Sequence, residues 1–156
     1  MMDKKVDLDL AAAHKYFAAT CFNQAWDYID KPSRTPEDDL AMILTSLASL
    51  WHWTQRPDCT AENLSVGYWQ VSRVSALAGQ AENARRYAEW SLRAIQGEDS
   101  GPFYLAYAYE ALARAEMVSG NRAQMIEYLE KASQVSKRIE DEDAKKMVLD
   151  DLATVQ

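Results

Sequence analysis

GPFYLAYAYEALARAEMVSG, from Gly101 to Gly120, is the stretch on which the fold turns. Ser100 offers a capping hydroxyl, and Pro102 falls at or near the first helical position, where its missing N–H costs nothing. Gly120 suits the left-handed residue that often closes a helix. Between these ends, Phe103, Leu105, Tyr107, Tyr109, Leu112, Met117 and Val118 are interleaved with Ala106, Ala108, Ala111, Ala113 and Ala115. On a helical pitch these residues run nearly all the way round, and a helix apolar on every side is a buried one. The alanines let neighbouring helices approach to the short end of the usual ~8–10 Å spacing. Glu110, Arg114 and Glu116 interrupt the apolar surface. Glu110 and Arg114 stand four apart and can pair on one face, and a buried carboxylate needs such a partner.

The rest of the chain reads as helices packed around this one. Apolar residues at helical spacing predict a first helix from about Asp7 to Asp30, carrying Phe17, Cys21, Phe22 and Trp26. Thr35-Pro36-Glu37-Asp38-Asp39 combines a cap hydroxyl, a first-position proline and three acids at the positive end of the dipole, which predicts a second helix. Thr60 caps a third, about Ala61 to Ala78, and Gly79 closes it. A fourth follows over about Ala81 to Gln96. After the central helix come a sixth, about Arg122 to Ile139, and a seventh started by the acids Glu140 to Asp143. No alternating strand pattern occurs.

Length and composition set limits on function. The 156 residues suit one domain with a real core. A net charge of −7 without a basic stripe disfavours nucleic acid and anionic membrane. The start, MMDKKVDLDL, has no apolar leader core, and no apolar run approaches the ~20 residues that span a bilayer. A soluble, cytoplasmic protein is expected. Cys21 reads as a small buried hydrophobe and Cys59 as a loop residue, and the pair makes neither a zinc motif nor a disulfide framework.

The segment beginning at Gly79 can be laid over the segment beginning at Gly120, an offset of 41 residues that aligns Tyr87 with Tyr128 and Ser91 with Ala132. Each copy is a helix, a one-glycine turn and a second helix, and such hairpins stack because none can bury both faces alone. This pattern resembles the tetratricopeptide repeat. Tyr68 or Tyr109 fills the leading aromatic, Ser72 or Ala113 the small site, Ala84 the alanine after the turn, and Ser91 or Ala132 the later alanine. The family period is 34 and its closing proline is absent here; Met125 replaces the alanine in the second copy. The chain is also similar to a set of uncharacterised bacterial tetratricopeptide-like proteins in three stretches, His14–Phe17, His52–Trp53 and Ala108–Ala115. The resemblance implies an all-α fold, a right-handed α-solenoid of three helical hairpins (1–56, 60–97 and 101–140) plus a C-terminal capping helix (141–156).

Chemistry is harder to find. His14 and His52 are the only histidines, without metal-ligand spacing, and they read as two separate residues, one hydrogen-bonded in the core and one at a helix end. Phosphate loops and nucleophile elbows are absent. Neighbouring acids such as Asp150 and Asp151 read as solvated surface. No catalytic residue, metal or cofactor is expected. The aromatics are more informative: Trp51 and Trp53 cannot share a helix face, nor can Tyr68 and Trp69, while Trp90 and Tyr104 lie off their apolar stripes. Cation–π pairs are available to Trp69 with Arg73 and to Trp90 with Arg86. Three readings follow. The concave face could hold a peptide or partner protein through Asn23, Trp69, Arg73, Tyr107, Glu110 and Arg114. A pocket for a small molecule, possibly enzymatic, could form where His14, His52 and Glu110 converge. Exposed Trp and Tyr could instead drive self-association, for example as a homodimer.

Overall fold

Five of the seven helices described start on a side-chain cap. The computed structural model describes residues 8–156, so the expected helix start at Asp7 and most of the leader reading lie outside the described residues. Seven helices follow: α1 (Leu10–Ile29), α2 (Pro36–Thr54), α3 (Ala61–Leu77), α4 (Ala81–Ile95), α5 (Gly101–Ser119), α6 (Arg122–Ser136) and α7 (Glu142–Leu152). No strand occurs among the described residues. Thr35 Oγ1 accepts from Asp38 N at 3.2 Å while Asp38 returns a bond to Thr35 N at 3.1 Å. Thr60 and Asn63 make the same reciprocal box on α3, and Asp9 and Asp141 cap α1 and α7. Each device satisfies first-turn N–H groups that the helix leaves orphaned. Gln80 makes no side-chain cap on α4; Ser100 makes none on α5. Its backbone is already helical and Gly101 turns left-handed at φ 77°, which carries the hydroxyl away from the first turn.

The glycine corners between α3 and α4 and between α5 and α6 match closely. Gly79 has φ 74° and Gly120 φ 77°, a region that a side chain's Cβ disfavours. After each, the next N–H reaches back five residues, Gln80 to Ser75 O at 2.9 Å and Asn121 to Glu116 O at 3.0 Å. These bonds satisfy the last carbonyls of the helix. The correspondence continues into the packing. The rings of Tyr68 and Tyr87 stack at 6.4 Å and 24°, those of Tyr109 and Tyr128 at 6.3 Å and 22°. Ser65 faces Ser91 across one hairpin, and Ala106 packs with Ala132 in the other.

Consecutive helices pack as neighbours, and the odd-numbered helices also touch one another, α1 on α3, α3 on α5, and α5 on α7. α5 therefore meets α3, α4, α6 and α7. Its five alanines are no more than 2% exposed, so the central position expected from its composition is the one it occupies. Some boundaries differ from expectation. α6 stops at Ser136, and Ile139 is instead buried in the turn that leads to α7. Cys21 is only half-buried, because α1 lies at the edge of the array. Among the described residues no helix is long and apolar enough to cross a membrane.

Because the two corners need the same left-handed residue, Gly79→Ala and Gly120→Ala should each lower stability by about 1 kcal/mol. Similar shifts of the urea midpoint in the two variants are the expected result.

Candidate functional site

Glu110 is 0% exposed in the middle of α5. A carboxylate in that position needs donors that replace its lost water. Three do. Trp69 Nε1 donates to Oε2 at 2.8 Å, while Arg114 Nε and Arg73 Nη1 donate to Oε1 at 2.7 and 3.1 Å. Arg73 continues to Asp151 Oδ1 on α7 at 3.3 Å, and Tyr107 OH donates to Asp151 Oδ2 at 2.8 Å. Arg114 also reaches the Asp151 carbonyl and the Thr154 hydroxyl, at 3.2 and 2.6 Å. Two carboxylates thus face two guanidiniums, and α3, α5 and α7 are tied through one charge-balanced cluster. Burial, then the hydrogen bond to Asp151, pushes the Tyr107 phenol far above its ordinary range.

In front of this cluster lies a cavity of about 420 Å³. Its wall draws Phe22 and Trp26 from α1, Trp69 from α3, Phe103 and Tyr107 from α5, and Met147 from α7. The rings brace one another: Trp69 meets Tyr107 edge-on at 5.2 Å, Phe103 meets Tyr107 edge-on at 5.1 Å, and Trp26 lies 6.0 Å from Trp69. A second cavity of about 220 Å³ adjoins it, sharing Phe22, Val66 and Tyr104 and adding Asn23, Trp53 and Glu62. Together they form a groove along the odd-numbered helices. The size and the mostly apolar lining are those of a ligand site. A broader depression along α5 and α6 is walled by Glu127, Glu130 and Lys131 on the outer surface of α6, and it has no comparable ring lining.

The histidines make a separate cluster. His14 Nδ1 and His52 Nδ1 are 2.9 Å apart, so one ring carries the proton and the other accepts it. Phe17 stacks on His52 at 5.2 Å, and Trp51 meets both imidazoles edge-on. The expectation of two unconnected histidines is thus corrected, because the antiparallel α1–α2 pairing sets their positions side by side. Their convergence with Glu110 is corrected as well. Trp26 is the α1 residue that meets Trp69, and it lies twelve residues, roughly 18 Å of helix, beyond His14. Glu110 also has no free face: both its oxygens are engaged by Trp69, Arg73 and Arg114. Among the described residues, no three His, Cys, Asp or Glu side chains gather as metal ligands.

The residues expected on the concave face fall into two sets. Asn23, Trp69 and Tyr107 line the cavities. Arg73, Glu110 and Arg114 lie behind the wall as its support and are absent from the lining. Arg73 also approaches the Trp69 ring at 6.0 Å, but Trp90 takes its guanidinium from Arg93 at 5.3 Å, three residues on, and not from Arg86. Sequence reasoning missed Asp151 by treating it with Asp150 as solvated surface. The signal was its position three after Val148 and four before Val155, both of which point inward. Phe22 and Trp26 were read as core, and only the gap between α1 and α5 turns them into walls.

Glu110→Ala would strand two guanidiniums and should cost about 3–5 kcal/mol in urea unfolding, with Glu110→Gln costing less because its shape is kept. The histidine pair gives a pH dependence. Burial, then the charge of His14, holds the His52 imidazole below the ordinary histidine range. An unfolded histidine takes up its proton near pH ~6.5, before folded His52 does, so stability is full above that pH and declines as pH falls below it. His52→Asn should flatten this decline in melting temperature between pH ~7 and ~5.

The chain matches no family model, no curated protein and no solved structure, so its function rests on the geometry of the groove.

Proposed function

We propose that this chain is a peptide-binding helical-repeat module, a right-handed α-solenoid of three hairpins similar to the tetratricopeptide repeat, with α7 as its cap. The hairpins are residues 1–56, 60–97 and 101–140, and the cap is 141–156. The reading is supported by the matched glycine corners, by the two tyrosine stacks and by the contacts that each hairpin makes with the next. The observation that carries the binding function is the cavity lined by Trp26, Trp69, Phe103 and Tyr107. Its rings are held by one another and by the cluster around Glu110. A ligand that meets rings already fixed loses less affinity to side-chain ordering. Aromatic anchors in a desolvated pocket are also what typically dominates binding energy. The occupant in this reading is an extended segment of a partner protein.

A second reading is favoured by a different surface. On the first hairpin, Leu10 and Phe17 of α1 and Leu40, Leu44 and Trp51 of α2 are all exposed, Phe17 least at 44%. Together they make an apolar face that a second copy could cover. Sedimentation velocity across a wide concentration range decides this: a monomer at every concentration removes self-association.

The peptide reading is tested by selecting displayed random peptides on the full chain. The expected result is a consensus containing an aromatic residue, bound about tenfold more weakly by Phe22→Ala and Tyr104→Ala, whose side chains line both cavities. Circular dichroism checks that both variants fold. If no consensus emerges, or if the variants bind as well as the parent, the reading fails.

A further inference from the structure

The charge around the groove narrows its occupant. Neither cavity has a lysine or arginine in its wall, yet each has a carboxylate, Asp151 in the larger and Glu62 in the smaller. Asp151 is engaged by Arg73 and Tyr107. Glu62, in the first turn of α3, is half-buried and forms no ion pair among the described residues. Beside it are Trp53, Phe22 and Val66, flat or apolar surfaces against which a long aliphatic stem can lie. Trp53 already carries a cation on its ring, the guanidinium of Arg56 at 3.9 Å. An anionic ligand segment would have to bring its charge toward Glu62 with no cation in either wall. A basic one meets an unpaired charge and an aromatic surface together.

We infer that the groove takes a basic peptide segment, in which an aromatic side chain fills the larger cavity and a nearby lysine or arginine lies across the smaller one with its charge at Glu62. This rests on the peptide reading above and adds the chemistry of the ligand. The two cavities share Phe22, Val66 and Tyr104, so the two anchors sit close together along one segment. Glu62 is in this view a specificity residue, choosing among aromatic peptides by their charge, while the rings supply most of the affinity.

The test uses fluorescein-labelled glycine-serine decapeptides titrated against the full chain by fluorescence anisotropy. One series carries a single tryptophan, a second adds a lysine close to it, and a third replaces that lysine with glutamate. The lysine series should bind tightest and the glutamate series weakest, separated by roughly fivefold, as expected for a solvent-accessible charge pair. Glu62→Gln should narrow the gap, and Glu62→Lys should reverse the order. Added salt should weaken the lysine series alone in the parent protein, a readout that needs no variant. If tryptophan peptides bind regardless of charge, or Glu62 variants leave the order unchanged, the basic segment is wrong while peptide binding stands. If no series binds, or if Tyr104→Ala binds equally well, the peptide reading itself falls. If anisotropy falls again at high chain concentration, the groove is taken by a second copy and the inference is overturned.

Discussion

A carboxylate without water must be surrounded by donors, and the donors around Glu110 come from different helices. Trp69 and Arg73 reach it from α3, and Arg114 from its own helix. Arg73 and Arg114 then bind the α7 backbone and side chain at Asp151. Removing Glu110 would leave two guanidiniums without their shared carboxylate, which is far more costly than the net value of the pairs. The inner helices are therefore linked by a requirement that apolar packing alone would not impose. Apolar side chains can slide past one another at small cost, whereas a bonded carboxylate fixes the angle and height of its neighbours.

The proposed binding surface follows from that link. Trp69 belongs both to the Glu110 cluster and to the cavity wall, and so does Tyr107 through Asp151. The polar ends of these rings are consumed inside, leaving apolar bodies facing the groove. This division explains why the residues nearest the charged cluster are poor candidates for touching a ligand. Arg73, Glu110 and Arg114 hold the wall upright, and the lining is made of rings, apolar side chains, Asn23 and the carboxylates of Glu62 and Asp151.

The helices were legible because local rules were obeyed: caps at Thr35 and Thr60, glycines at the corners, and an all-round apolar α5. Local rules also account for the misses. Ser100 has the right residue type for a cap, but the left-handed Gly101 beside it removes the geometry. The groove is a product of distant pairings. Helical periodicity assigns Trp26 to an inward face, and nothing in that periodicity says whether the inward face meets a neighbour or a gap. The Nδ1 contact between His14 and His52 depends likewise on the register of two antiparallel helices, which spacing along either one does not encode. The Glu110–Arg114 pair could be read from its four-residue spacing, while the roles of Trp69 and Asp151 in completing it required the fold.

The serines between α3 and α4 have a further consequence. Ser65 Oγ donates to the Ser91 carbonyl and Ser91 Oγ to the Ser65 carbonyl, both at 2.9 Å, so each helix is pinned to the other's backbone. At the corresponding place between α5 and α6, alanines stand on both sides and resist displacement by contact alone. The α3–α4 pair is thus held by directed bonds and the α5–α6 pair, at that level, by contact. Val66 and Trp69 therefore face the groove from a braced backing, whereas α6 contributes no side chain to its wall.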